Sequence, residues 1–313
     1  MKYDLIIVGS GAAGLSAALY AGRYKMKTLV IEGEFGGETS TAGEVANYPG
    51  VKAIDGYDLM KVMKEQAQAV GAEIKDGRVV KIERSGSPPA GGWNVTTENG
   101  EAHETSAVIL ATGSRRRHLN LPNEKELTGR GVHYCWTCDG PLYGGKTVAM
   151  VGGGDSSVKG VNFLAEYAKK IYLIVRGNEV HAEPINLERM KKHGDKVEVL
   201  LEHEVKEIAG EKMLEKLVLS SSKHELDELV VDGMFIEIGF DPDKTFAEQL
   251  GLKLDEKGYM KVDNMMRTNT PGIFVAGDAT THFGSFKQDI TAAAMGAVAA
   301  TAAYEYVGRL EKK

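Results

Sequence analysis

The sequence predicts an α/β protein of two Rossmann-like dinucleotide-binding domains (three-layer ββα), the second inserted in the first. Three observations carry that prediction. A glycine-rich turn between an aliphatic strand and a helix occurs twice, at Gly9-Ser10-Gly11-Ala12-Ala13-Gly14 and at Gly152-Gly153-Gly154-Asp155-Ser156-Ser157. Each turn is followed, at helix-plus-strand spacing, by a second aliphatic strand. A later strand running into Gly277-Asp278 brings the chain back to the first domain. The expected boundaries are 1–116 for the first part of domain one, 117–242 for the insert, and 243–313 for the second part of domain one.

Leu5-Ile6-Ile7-Val8 is a continuous aliphatic run, the pattern of a parallel strand covered on both faces. Gly9, Gly11 and Gly14 let the backbone, with the N–H groups of Ala12 and Ala13, come close to a pyrophosphate at a helix N-terminus. A helix over about Leu15–Tyr24 and a strand Thr28–Ile31 complete the βαβ unit. Glu32 at its end is the carboxylate expected to accept a hydrogen bond from a ribose. Gly36-Gly37-Glu38-Thr39 and Asn47-Tyr48-Pro49-Gly50 are turn-rich, either loops wrapping a cofactor or plain surface loops.

Residues 57–70 read as an amphipathic helix. Val79–Ile82 and Trp93–Thr97 read as hairpin strands joined by Ser85–Gly92, with Pro88-Pro89 in the loop. Ala107–Leu110 is a further buried strand ending in the small-residue turn Ala111-Thr112-Gly113. Arg115-Arg116-Arg117 reads as a solvated connector, and Pro122 marks a hinge into the insert.

In the insert, Thr147–Val151, the second glycine turn, a helix to about Tyr167 and a strand Ile171–Val175 repeat the βαβ pattern. Strands follow at Val197–Leu200, Leu217–Leu219 and Val231–Phe240, and Asp241-Pro242 marks the return. Gly277-Asp278 then lies at the carboxyl end of a strand, where open α/β sheets bind ligands, and Asp278 is a candidate partner for a cofactor hydroxyl. The last helix starts near Gln288-Asp289. Its small residues Ala293, Gly296, Ala297 and Ala300 suit close backbone packing, and its positive end suits a flavin ring that becomes negative on reduction.

Between the two glycine turns stands Cys135-Trp136-Thr137-Cys138-Asp139-Gly140, holding the only 2 cysteines of 313 residues. Thiols at this spacing close a small disulfide ring, and a helix start favours thiolate. Asp139 is a proton donor or acceptor beside them. A zinc site using His133, Cys135 and Cys138 lacks a fourth ligand, so no metal is expected. A net charge of −6 argues against a nucleic-acid partner. No signal peptide is evident, and Ile290–Tyr304 is too rich in Ala, Gly and Thr for a membrane span. Two cysteines at catalytic spacing fit a reducing cytoplasm.

With these motifs in this order, over almost its whole length, the chain resembles the low-molecular-weight thioredoxin reductases. The resemblance implies FAD in the first domain, contacted by Gly9, Gly11, Ala12, Ala13, Gly14, Glu32, Gly36, Gly37, Glu38, Thr39, Asn47, Val80, Ala111, Thr112, Gly113, Gly277, Asp278, Lys287, Gln288 and Asp289. It implies a nicotinamide cofactor on Gly152, Gly154, Asp155, Ser156, Ser157 and Arg176. Electrons would pass from NADPH through FAD to the Cys135–Cys138 disulfide, and on to thioredoxin or a thioredoxin- or glutaredoxin-like protein. Cys138 would face the flavin and Cys135 would attack the partner. A homodimer is also implied, as is rotation of the insert between two working positions.

The chain departs from the family at several places. Trp136 follows the first cysteine, where a small residue is usual, and reads as a packed ring. Glu38 replaces a glutamine, and Lys287-Gln288-Asp289 replaces R-Q-A. Of the basic cluster that holds the NADPH 2′-phosphate only Arg176 remains, with Val175, Gly177 and His181 in the other places. Loss of a bidentate guanidinium clamp weakens phosphate recognition. NADPH remains the first expectation, with NADH, reduced ferredoxin or a deazaflavin as alternatives.

Overall fold

The computed structural model describes residues 2–86, 91–221, 227–284 and 286–311. The Pro88-Pro89 part of the expected hairpin loop lies outside the described residues. The chain forms two compact units, Met1–Arg115 with Pro242–Lys313, and Arg116–Asp241. Six α-helices are present among the described residues: α1 Ala12–Arg23, α2 Gly56–Ala69, α3 Trp136–Asp139, α4 Asp155–Leu164, α5 Pro184–Lys191 and α6 Asp289–Glu311.

The first unit is built on a sheet in the order Glu73–Asp76, Thr28–Phe35, Lys2–Ser10, Ala102–Leu110, Gly92–Thr97, Val79–Ser85. The strand Ala102–Leu110 forks it. Its first half pairs antiparallel with Gly92–Thr97, and its second half pairs parallel with Ile273–Val275. Alternate side chains of the central strands serve two cores. Leu5, Ile7, Val30 and Ile109 pack with the alanines of α1 and α6. Ile6, Val8, Leu29, Val108 and Leu110 pack with Trp93, Val95, Phe246 and Leu250 on the other face. Burial on both faces is why these strands are uniformly aliphatic. A Cβ on Gly296 of α6 would stand 2.0 Å from the Ala13 carbonyl oxygen, so the two helices touch backbone to backbone there.

The second unit repeats the plan. Five parallel strands run in the order Val132–His133, Gly233–Ile236, Thr147–Val151, Lys170–Val175, Val197–Leu201. On one face α4 packs over Val148, Met150, Ile171, Leu173 and Phe235. On the other, the antiparallel sheet that carries Val205, Ile208, Leu217 and Leu219 covers Ala149, Val151, Ile174, Met234 and Ile236.

Two details add to or depart from the sequence expectation. The run Val231–Phe240 is not one strand: Gly233–Ile236 is the inner strand, and a separate short strand begins at Phe240 after Gly239 turns at φ +93°. The arginine triplet is solvated at Arg115 and Arg117, as expected, and is also ion-paired. Arg115 pairs with Asp243 at 3.2 Å, Arg116 with Glu237 at 2.9 Å and Arg117 with Asp241 at 2.9 Å. Each guanidinium therefore meets an acid on the returning segment, within its own unit.

Candidate active site

In the first unit the expected cofactor residues gather at the carboxyl ends of adjacent parallel strands. Lys2–Ser10 turns through Gly9 at φ +104°, where a Cβ would fall 2.4 Å from the Ala111 carbonyl oxygen. One helical turn on, a Cβ at Gly14 would lie 2.0 Å from the Gly9 oxygen. Only glycine fits either place, and the result draws the start of α1 against the turn Ala111-Thr112-Gly113. That start is capped by Gly11 without any side chain, and little but the Gly36 carbonyl, 3.8 Å away, lies where a Gly11 Cβ would project. This is an anion cradle facing open space.

The other expected residues close around it. Gly37 approaches the Gly11 backbone, and Gly277 stands against Ala13. Thr39 donates through Oγ1 to Asp289 Oδ1 at 2.5 Å, tying the Gly37–Thr41 turn to the first turn of α6. Asn47 donates to Gln288 Oε1 at 2.9 Å. Lys287 Nζ donates to the carbonyl of Asp278 at 3.1 Å and to that of Thr280, and lies over the Tyr259 ring. Burial raises the Asp278 carboxyl above its ordinary value; Asp289 and Glu38 add to this and Lys287 opposes it. Burial lowers the Lys287 ammonium, against Asp278 and Asp255. Val80 sits 45% exposed on Val79–Ser85, a strand that starts just beyond Asp76, the register partner of Glu32.

These residues fit FAD on evidence of their own. Glu32 is 4% exposed, yet its Oε2 finds no partner among the described residues, and neither does the buried hydroxyl of Thr112. A buried polar atom left unpaired costs about 1–3 kcal/mol, so such atoms point to a bound group that satisfies them. Lys64 on α2 donates to Glu32 Oε1 at 2.5 Å. Sequence reasoning missed Lys64, because a lysine on an amphipathic helix carries no motif.

The second cradle has the same backbone logic but fewer free groups. Gly152 lies close under the Glu237 carbonyl, and nothing approaches a Cβ at Gly154. Ser157 is fully buried and donates to the Glu237 carbonyl at 3.1 Å, fastening α4 to the strand end as the third glycine of the motif would. Ser156 donates to the Glu237 carboxylate at 3.1 Å. Asp155 turns inward, accepting from the Glu183 N–H at 2.8 Å and from Asn186 at 2.9 Å. Arg176 is 85% exposed at the strand end, 3.8 Å from Glu204, which Lys206 also meets. His181 bridges to the cradle through its backbone while its ring faces Glu179 at 3.5 Å.

Cys135 and Cys138 are bonded to each other. Cys135 caps α3, and its sulfur accepts the Cys138 N–H at 3.2 Å and lies 3.3 Å from the Thr137 hydroxyl. Both donors favour negative charge on that sulfur. The helix itself is one turn, running directly into a 3₁₀ turn at Gly140–Tyr143. A dipole of that length is small, so these local donors, rather than a helix macrodipole, favour thiolate here. Asp139 Oδ2 lies 3.0 Å from Nδ1 of His133, whose Nε2 is 2.7 Å from the Tyr143 hydroxyl. Both sulfurs and both ring nitrogens are therefore engaged within the protein in this disulfide form. Trp136 is buried against Phe163, with ring centroids 5.4 Å apart.

Comparison with known proteins agrees with this geometry. The family model described as pyridine nucleotide-disulphide oxidoreductase matches residues 3–300. The chain is 40% identical over 312 residues to a thioredoxin reductase of Streptomyces coelicolor, covering 98% of this chain and 94% of that one. The crystal structure of Lactococcus lactis thioredoxin reductase matches with a TM-score of 0.91 at 35% identity, covering 98% of this chain and 99% of that one. A ferredoxin-flavin thioredoxin reductase from Clostridium acetobutylicum matches with a TM-score of 0.51 at 32% identity, covering 100% and 99%. No described helix is long and apolar enough to cross a membrane.

Proposed function

The chain belongs to the pyridine nucleotide-disulphide oxidoreductase family and is a flavoprotein disulfide oxidoreductase; from that premise we propose that it is a thioredoxin reductase, with NADPH as donor. The observation that carries the reading is the Cys135–Cys138 disulfide in a chain that holds two dinucleotide cradles. FAD, when bound, supplies the two-electron relay between a nicotinamide and a disulfide. The chain's part is to hold it: the α1 start and Gly9–Gly14 for the pyrophosphate, Glu32 for a ribose, and Asp278, Lys287 and the α6 start for the rest.

Reduction opens the Cys135–Cys138 bond. The Cys135 thiolate, held by the Cys138 N–H and Thr137, attacks the partner's disulfide and forms a mixed disulfide, releasing one partner sulfur. Cys138 gives its proton to Asp139 and attacks Cys135, which re-forms the internal bond and frees the partner as a dithiol. Cys138→Ser is expected to keep FAD and its yellow colour while thioredoxin reduction falls to background. Undiminished turnover in that variant would overturn the reading. A homodimer in a cytoplasmic setting completes it.

A second donor reading has its own support. Arg176 is the sole arginine at the strand end, and Glu204 stands beside it, so a 2′-phosphate would meet a partly offset charge. Anaerobic titration of the flavin absorbance with NADPH, NADH and a reduced ferredoxin separates the two. Bleaching at micromolar NADPH supports the first reading. Bleaching by ferredoxin alone supports the second.

A further inference from the structure

We infer that His133 is a positioning residue for Asp139, holding its carboxylate through Nδ1–H in the orientation from which it serves the Cys135–Cys138 pair, with the Tyr143 hydroxyl donating to Nε2 of the ring. The inference rests on the reading of Asp139 as the proton acceptor for Cys138.

His133 ends the edge strand Val132–His133 and is 5% exposed. Its ring is clamped between a stacked Phe235 at 5.3 Å and an edge-on Tyr143 at 5.4 Å. The titratable groups that meet it are Asp139 from α3 and Tyr143 from the Gly140–Tyr143 turn; Phe235, from the neighbouring strand, is neutral. Asp232 adds its charge at Tyr143.

The direction of the hydrogen bonds follows from Asp139: its carboxylate only accepts, so the Nδ1 that lies 3.0 Å from it carries the proton. Burial first, then the charges of Asp139 and Asp232, push the Tyr143 phenol up to about 12, so it keeps its proton at neutral pH. With Nδ1 protonated, Nε2 of a neutral ring is the acceptor for that O–H, 2.7 Å away. The run is thus Tyr143 O–H to His133 Nε2, and His133 Nδ1–H to Asp139. His133 and Asp139 flank the two cysteines in sequence, and the Asp139 N–H donates to the Cys135 carbonyl at 3.1 Å. The carboxylate next to Cys138 is therefore anchored to a rigid strand end rather than left free on a one-turn helix.

The step that needs Asp139 is ring closure, and a small disulfide isolates it. Purified FAD-loaded enzyme, its cysteines reduced, is mixed with 2-hydroxyethyl disulfide at pH 6 to 9 and quenched, and the species are counted by mass. Cys135 thiolate attacks the probe, whose S–S bond breaks to release one mercaptoethanol. The Cys138 thiol then passes its proton to Asp139 while its sulfur attacks Cys135. That forms the internal bond and expels the second mercaptoethanol as a thiolate, which takes up the proton. Without an oriented base the mixed disulfide accumulates.

We expect His133→Phe to slow closure at least about tenfold at pH 6–7, with the deficit fading toward pH 9, where a thiol of pKa near 8.5 ionises unaided. His133→Asn, which keeps a donor, recovers most of the rate. Tyr143→Phe keeps the ring stack and gives a smaller deficit with the same pH dependence, and serves as the test should His133→Phe fail to fold. Closure at the wild-type rate in His133→Phe, or in Tyr143→Phe where that is the test, or a loss equal at every pH, overturns the inference while a slow Asp139→Asn upholds the reading beneath it. Wild-type closure in Asp139→Asn overturns both.

Discussion

Lys64 Nζ lies 2.5 Å from Glu32 Oε1, while the other carboxylate oxygen of Glu32, buried, has no partner among the described residues. One oxygen is held by the protein, and we propose that the second takes a cofactor hydroxyl. Glu32→Gln keeps the shape but replaces the charged acceptor. Hydrogen bonds to charged groups contribute about 1.5–3 kcal/mol, so FAD affinity should fall about tenfold to a hundredfold. Titration of the apoprotein by quenching of flavin fluorescence measures it. Lys64→Met instead strands a buried carboxylate. It should lower the stability of the apoprotein by about 2 kcal/mol, less than for a fully buried pair because Lys64 reaches solvent.

Helices α1 and α6 meet at Gly296, where a Cβ would fall 2.0 Å from the Ala13 carbonyl oxygen and 2.9 Å from its carbon. Both atoms are backbone, so nothing nearby can rotate away. Gly296→Ala must push the helices apart at the point where α1 begins its cradle. A loss of about 3 kcal/mol or more, with weakened flavin retention, is expected in urea unfolding followed by flavin release. Gly308, near the other end of α6, meets nothing within 4 Å, so Gly308→Ala should stabilise by about 0.5–1 kcal/mol.

Much of this was legible in the residues. The aliphatic runs at Leu5–Val8 and Ala107–Leu110 announced strands buried on both faces, and the glycines announced the turns between them, because these depend on local chemistry. The gathering of Thr39, Asn47, Gln288 and Asp289 was legible only through the family resemblance, since the paired residues lie far apart in the chain. Lys64 and Tyr143 were not legible at all. Their roles come from what the fold brings beside them, and neither residue type carries a pattern. The arginine triplet is solvated as its run of like charge suggests, Arg115 and Arg117 being more than half exposed, but the acids that answer it lie far along the chain and were not legible from the run itself.

Asp155 gives the second unit a pH dependence of definite sign. Burial raises its carboxyl, but Asn186, the Glu183 N–H and Lys159 together outweigh that and hold it below its ordinary value of 3.8. A carboxylate lowered in the folded state stabilises above its unfolded value, and that contribution is lost as pH falls through the lower folded value. Asp155→Asn should therefore cost about 1 kcal/mol at pH 7, since part of the carboxylate reaches solvent. The difference between variant and wild type should shrink steadily below about pH 4. Amide hydrogen exchange over α4 and α5 at pH 7 and pH 4 reads it locally.

Trp136 separates two ideas about the residue between the cysteines, a shield over the disulfide and a piece of core. It is 8% exposed, its ring is tilted against Phe163, and a Cβ on Gly160 of α4 would stand 3.0 Å from its Cδ1. Gly160 thus leaves room for the indole, and α3 is fastened to α4 through it. Trp136→Ala should cost about 3–5 kcal/mol in the second unit, and Trp136→Phe should recover most of this. With two units in the chain a single melting temperature is ambiguous, so hydrogen exchange over α4 is the measurement. If α4 keeps its full protection in Trp136→Ala while small thiols reduce the disulfide faster, the indole is a cover. If protection falls and Trp136→Phe restores it, the ring is what keeps Cys135 and Cys138 at a fixed place on the unit.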